Sequence, residues 1–124
     1  MTIREAVDRI DDVLVNQYSD EEKIAWLSVI DGNIYNELLA THEGAPTAQH
    51  PYNHKIKGIQ DTQLYAPSPY DELYIYWLES MIFYRNGEME RYINAQSRFN
   101  TVLSDYYTYY NRTVKPIGRN FRGY

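Results

Sequence analysis

Three histidines fall in one stretch of the chain, His42, His50 and His54, and the last two are four residues apart. On a helix that spacing would bring both imidazoles to one face, ready for a metal ion. Pro51 lies between them, so the required helix is not expected and no metal site is assigned. His42-Glu43 begins like a metalloprotease helix but runs straight into Gly44-Ala45-Pro46. The acidic runs Asp11-Asp12, Asp20 to Glu22 and Asp71-Glu72 sit at helix starts or links, where dipole and capping roles account for them without acid–base catalysis. No phosphate-binding glycine loop, no G-x-S-x-G turn and no cysteine occurs. The chain is therefore read as a non-enzyme that takes no cofactor.

What remains is recognition chemistry. Residues 113–124 (TVKPIGRNFRGY) carry Lys115, Arg119 and Arg122 without an acid, and with Phe121 and Tyr124 they interleave bases with aromatic rings. An extended peptide of that kind docks through its rings and is steered by its charge. With a net charge of −5 overall, the preceding 112 residues stand at −8, and residues 1–44 alone hold ten acids against three bases. Such a body repels nucleic acid while the basic segment seeks an acidic groove. Fourteen tyrosines among nineteen aromatics point the same way, since a ring tipped with a hydroxyl suits surfaces dry in one state and wet in another.

The elements that position these residues are helical. A hairpin is predicted from Tyr70–Tyr84 and Met89–Tyr110, joined through Arg85-Asn86-Gly87-Glu88 by a glycine turn. Ser68 is expected to cap its first helix, with Pro69 in the first helical position. That helix is apolar almost all round, so it is either central or partly covered by neighbouring subunits. The second arm is two-faced, with Tyr92, Ala95, Phe99, Val102, Tyr106 and Tyr109 on one stripe. Arg91, Arg98, Asp105 and Arg112 recur every seven residues along it and offer an intersubunit ion-pair line or a solvated face.

Two capping boxes open the earlier helices, Thr2-Ile3-Arg4-Glu5 and Ser19-Asp20-Glu21-Glu22. The first helix ends near Asp11–Leu14 and the second runs to about Thr41. Gly32 inside the second implies close packing, a bend or simple tolerance. From His42 to Pro67 glycines and prolines break the pattern, giving an irregular arm that a partner could order, with a small β-hairpin possible between Lys55–Ile59 and Thr62–Tyr65. Beyond Tyr110 the last helix is expected to fray through Asn111-Arg112-Thr113. No apolar run is long enough for a membrane span, and no secretory pattern is read at the start. The fold class is thus all-α: a four-helix domain over residues 1–112, its arm at about 42–67, and an extended segment at 113–124.

Three stretches, Tyr18–Glu37 (YSDEEKIAWLSVIDGNIYNE), Leu64–Leu78 (LYAPSPYDELYIYWL) and Gly87–Asn100 (GEMERYINAQSRFN), cover about forty percent of the chain. They resemble the small head-tail connector, or adaptor, proteins of tailed phages and prophages of Gram-positive gut bacteria. The resemblance implies a virion neck subunit assembled in the host cytoplasm. Copies would form a homo-oligomeric ring beneath the portal protein, extend the channel through which DNA passes without sequence-specific binding, and offer a platform to the next neck or tail protein. It further implies portal docking by the carboxyl-terminal segment, carried here onto Arg112, Lys115, Arg119, Phe121, Arg122 and Tyr124. A helical binding or regulatory module that grips one partner is the alternative reading.

Overall fold

The computed structural model of the chain describes residues 1–117. Both capping boxes form. The Thr2 hydroxyl accepts from the Glu5 amide at 3.1 Å while the Glu5 carboxylate accepts from the Thr2 amide at 2.8 Å, and α1 spans Ile3–Val13. The same exchange between Ser19 and Glu22 opens α2, Asp20–Glu37. Each box satisfies amides that the first turn of a helix leaves without a partner. A 3-10 turn, Leu39–Thr41, follows α2 directly, so the second helix stops before Thr41 and tightens.

Helices α3 (Glu72–Arg85) and α4 (Met89–Thr113) form the hairpin. Gly87 takes φ +76°, the left-handed geometry that glycine adopts without a Cβ clash. α3 begins three residues later than the Ser68-Pro69 signature implied. Bonds from the Tyr70 amide to the Pro67 carbonyl, 2.8 Å, and from Leu73 to Tyr70, 3.1 Å, close successive turns over a cis Ser68–Pro69 peptide. Those turns leave no helical start for Ser68 to cap. At the other end α4 stays helical through Thr113 rather than fraying.

α3 is central. Leu73, Tyr74, Ile75, Leu78, Ile82 and Phe83 are buried along it, and α1, α2 and α4 all pack against it. Neighbouring subunits are thus not needed to cover this helix, since one chain closes its own core. Each fully buried Leu or Ile contributes about 1.5–3 kcal/mol. Buried Ser80 lets α4 approach closely, donating to the Trp77 carbonyl at 2.7 Å and accepting from Gln96 of α4 at 2.9 Å. Trp77 packs on Phe99 of α4 and donates its indole N–H to the Trp26 carbonyl of α2 at 2.8 Å, so a single side chain bridges three helices.

Among the helices, α4 packs chiefly on α3, and its Tyr107 reaches the end of α2 by donating to the Glu37 carboxylate at 3.0 Å. Its 25 residues span about 37 Å against about 21 Å for the 14 of α3, so it overhangs its partner. The expected stripe meets α3 through Ala95, Phe99 and Tyr106. Two members of the seven-residue line are engaged within the chain, Arg91 with Glu88 at 3.3 Å and Arg98 with Glu79 at 3.8 Å.

The two glycines differ in sign. A Cβ at Gly32 would meet His50 Cδ2 at 3.4 Å, an ordinary contact, whereas at Gly87 nothing lies within 4 Å and only the backbone angle matters. Gly32→Ala is expected to stabilise by up to about 1 kcal/mol through helix propensity, and Gly87→Ala to destabilise by about 1 kcal/mol. Urea denaturation checks both.

Candidate docking site

Of the residues singled out for docking, Arg112 and Lys115 lie where α4 leaves the core, and two buried polar clusters hold that region. The first is built on Asp31, a fully buried carboxylate in the middle of α2. One oxygen accepts from the Tyr74 hydroxyl of α3 at 2.5 Å; the other accepts from the Tyr52 hydroxyl at 2.5 Å and the Tyr65 amide at 3.2 Å, both in the arm. The Tyr74 oxygen accepts in turn from the Ala66 amide at 2.8 Å, and the Tyr52 oxygen from Gln49 at 3.0 Å. Burial raises the Asp31 carboxyl above its ordinary value, although the two hydroxyls and the amide pull it down. The same burial, with the carboxylate alongside, pushes Tyr52 and Tyr74 well up. The phenols therefore stay protonated and remain donors.

This cluster fastens the arm. Tyr52, Ile59, Leu64 and Ala66 are buried on the chain's own body, so the arm does not wait for a neighbour to order it. The hairpin that its pattern allowed is not formed: Ile59–Asp61 is a 3-10 turn, and Gln63 bridges to Thr2 instead. The Ile3 amide donates to the Thr62 carbonyl at 3.0 Å and the Leu64 amide to the Met1 carbonyl at 2.9 Å, so one carbonyl and one amide of the arm find their partners at the start of the chain. Upstream, Tyr35 of α2 donates to the Pro46 carbonyl at 2.8 Å and packs on His50 and Tyr65.

The second cluster is His42. Its Nδ1 lies 2.7 Å from the Leu38 carbonyl, an obligate acceptor, so that nitrogen carries the proton and donates. Nε2 pairs with the Asn111 side-chain amide of α4 at 2.8 Å, and the ring meets the Tyr110 ring edge-on at 4.8 Å. Beside it the chain closes a short antiparallel pairing. The Glu43 amide donates to the Lys115 carbonyl at 2.9 Å and the Ile117 amide to the Thr41 carbonyl at 2.8 Å. Residues leaving α4 are thereby anchored to the end of α2.

Arg112 sits exposed in the last turn of α4, and Lys115 is exposed within the anchored pairing. Arg119, Phe121, Arg122 and Tyr124 lie outside the described residues. A groove of about 340 Å³ opens beside the anchor. Pro46, Tyr65 and Pro67 of the arm form one wall, and Tyr106, Tyr109 and Tyr110 of α4 the other. Tyr70 packs on Tyr106 and Tyr109 at 5.6 and 5.4 Å and continues the aromatic surface.

His50 and His54 do not converge. His50 is packed between Tyr35 and Tyr65, and His54 lies 3.5 Å from the Glu21 carboxylate. Among the described residues no three His, Asp or Glu side chains gather at one point. Asp31 went unnoticed in the sequence although a signal was there, a carboxylate four residues after Leu27 and seven after Ile24, on the apolar stripe itself. Lys23 is similar, buried in α2 with its ammonium 2.6 Å from Asp11.

Comparison with known proteins finds no family model, no curated protein and no solved structure that matches the chain.

Two outcomes follow from the clusters. Because burial raises the folded-state value of Asp31, its contribution to stability is fully present below its ordinary value of 3.8 and is lost as pH rises through the raised one. The stability of the wild type relative to Asp31→Asn should therefore be greatest in acid and fall towards neutrality, as denaturation at several pH values would reveal; a flat difference contradicts it. Asn111→Ala removes the partner of a buried ring nitrogen and is expected to cost about 1–3 kcal/mol. Hydrogen exchange should then speed at the Glu43 and Ile117 amides ahead of those in α3.

Proposed function

We propose that the chain is a structural connector of a tailed-phage neck. Copies form a ring beneath the portal, extend the DNA channel and present a platform to the next neck or tail protein. The observation that carries this reading is α4. Its side from Tyr92 to Asp105 is an open trough lined mainly by uncharged polar residues, among them Gln96, Ser97, Asn100 and Thr101, with the Asp105 carboxylate at one end, and no other helix among the described residues covers it. Exposed Tyr84, Met89 and Ile93 extend apolar surface to the hairpin tip. A helix face that is polar with few charges and has apolar residues at one end suits protein contact, because burying it takes little charge out of water.

A ring further requires two unlike faces on every subunit, so that each copy binds the next head to tail. α1 and α4 lie on different flanks of α3 and do not meet. Exposed Asp8, Asp12 and Asp20 crowd the α1 and α2 side, and α4 carries Arg91, Arg98 and Arg112. Acids that end up facing the channel would repel the phosphate backbone and let DNA slide. The three stretches that resemble phage connectors fall on α2, on the approach to α3 and its first half, and on the hairpin turn with the start of α4. Two of them lie largely on helices, and the middle one runs from the end of the arm into α3. Anchoring at Thr41–Glu43 gives residues beyond Ile117 a fixed point of departure towards a portal.

Native mass spectrometry of the full chain, alone and mixed with portal, tests the reading. A cyclic oligomer of one defined subunit number is expected, and a strict monomer that ignores portal would favour a single-partner binding module instead. Removing residues 118–124 is expected to abolish portal docking with unchanged helical circular dichroism. Docking that survives the truncation would overturn the docking role given to Arg119, Phe121, Arg122 and Tyr124.

A further inference from the structure

The tyrosine-lined groove has a candidate occupant attached to its rim. Thr113, Val114 and Leu39 line it, and the Ile117 amide is bonded to Thr41, two residues along from Leu39. The chain therefore passes out of the described region at the mouth of the groove. Phe121 is four residues further on, and an extended chain of that length reaches roughly 13 Å. We propose that this groove is an intramolecular seat for residues 118–124, with Phe121 as the ring that enters it.

The chemistry of the two sides matches. No Lys, Arg, Asp or Glu lines the groove, whose walls are tyrosine rings, proline rings and aliphatic carbon. A phenyl ring is the best filling for such walls, through offset and edge-on packing on tyrosine faces worth about 0.5–1.5 kcal/mol per pair beyond burial. Phe121 is the one wholly apolar side chain in residues 118–124, and it is flanked by Arg119 and Arg122. Two exposed carboxylates, Glu37 and Glu43, flank the groove-lining Leu39 in the chain and are open to those bases. Glu37 accepts from the Tyr107 hydroxyl at 3.0 Å, and Glu43 is held in the pairing with Lys115. Tethering does the rest: a segment joined by a few residues faces its site at an effective concentration in the millimolar range, so a contact too weak to hold a free peptide is still populated.

The groove and a portal would then compete for the same seven residues. In the connector reading the segment is stored on its own subunit and released when docking begins. The seat itself does not depend on that reading and can be tested on the isolated chain.

Methyl NMR on the full chain at low concentration uses Leu39 and Val114 as reporters. Their methyls should carry ring-current shifts that vanish equally in Phe121→Ala and in a chain ending at Ile117. Tyr109→Ala, at the half-exposed edge of the groove, should lose them as well. The synthetic heptapeptide of residues 118–124, added in excess to the shortened chain, should restore the shifts saturably, and its Phe121→Ala version should bind at least tenfold more weakly. Superimposable spectra of the full and shortened chains would overturn the proposal. So would shifts that grow with protein concentration, which would assign the groove to a second copy.

Discussion

One buried carboxylate ties the chain together. Asp31 forms no ion pair with a lysine or arginine among the described residues, and a buried carboxylate of that kind costs several kcal/mol to remove from water. Three donors offset that cost, one from α3 and two from the arm, and hydrogen bonds to an ionised group are among the strongest a protein makes. Because the donors come from separate segments, the carboxylate is satisfied only when α2, α3 and the arm are assembled together. An irregular stretch of about 25 residues thereby acquires a fixed path, although it forms no ladder of its own.

The same arrangement gives the tyrosine content a meaning inside the subunit. Tyr52, Tyr74 and Tyr106 are buried in the core of a single chain, their rings filling space while two of the three hydroxyls reach Asp31. Abundant tyrosine is thus not by itself a mark of surfaces awaiting a neighbour. The surfaces that do remain open are the outer side of α4, the hairpin tip and the aromatic groove. They differ in chemistry, the first mixing polar and charged side chains, the second apolar and the third aromatic.

Mechanical economy follows from the order of the helices. α3 is enclosed on three sides, so its sequence is apolar all round, whereas α4 packs mainly on one helix and its sequence is two-faced. The short pairing of Thr41–Glu43 with Lys115–Ile117, backed by His42 and Asn111, then converts the end of a long helix into a defined exit.

Local chemistry left clear traces in the amino-acid order: two capping boxes, the glycine turn at Gly87, the central character of α3 and the stripe of α4. Each depends on residues within a few positions of one another, where spacing alone decides which groups meet. Other features depended on distant segments. The start of α3 was misjudged because Ser68 and Pro69 make a turn whose bonds are set by where Tyr70 and Tyr74 must pack. The hairpin that the arm's pattern allowed does not form because its backbone groups pair with the start of the chain, about sixty residues earlier. Asp31, His42 and the groove are products of tertiary structure alone. Sequence fixes which side chains can donate, accept or stack, but a buried charge is tolerable only where its partners converge, and convergence across twenty to seventy residues is decided by how the helices pack.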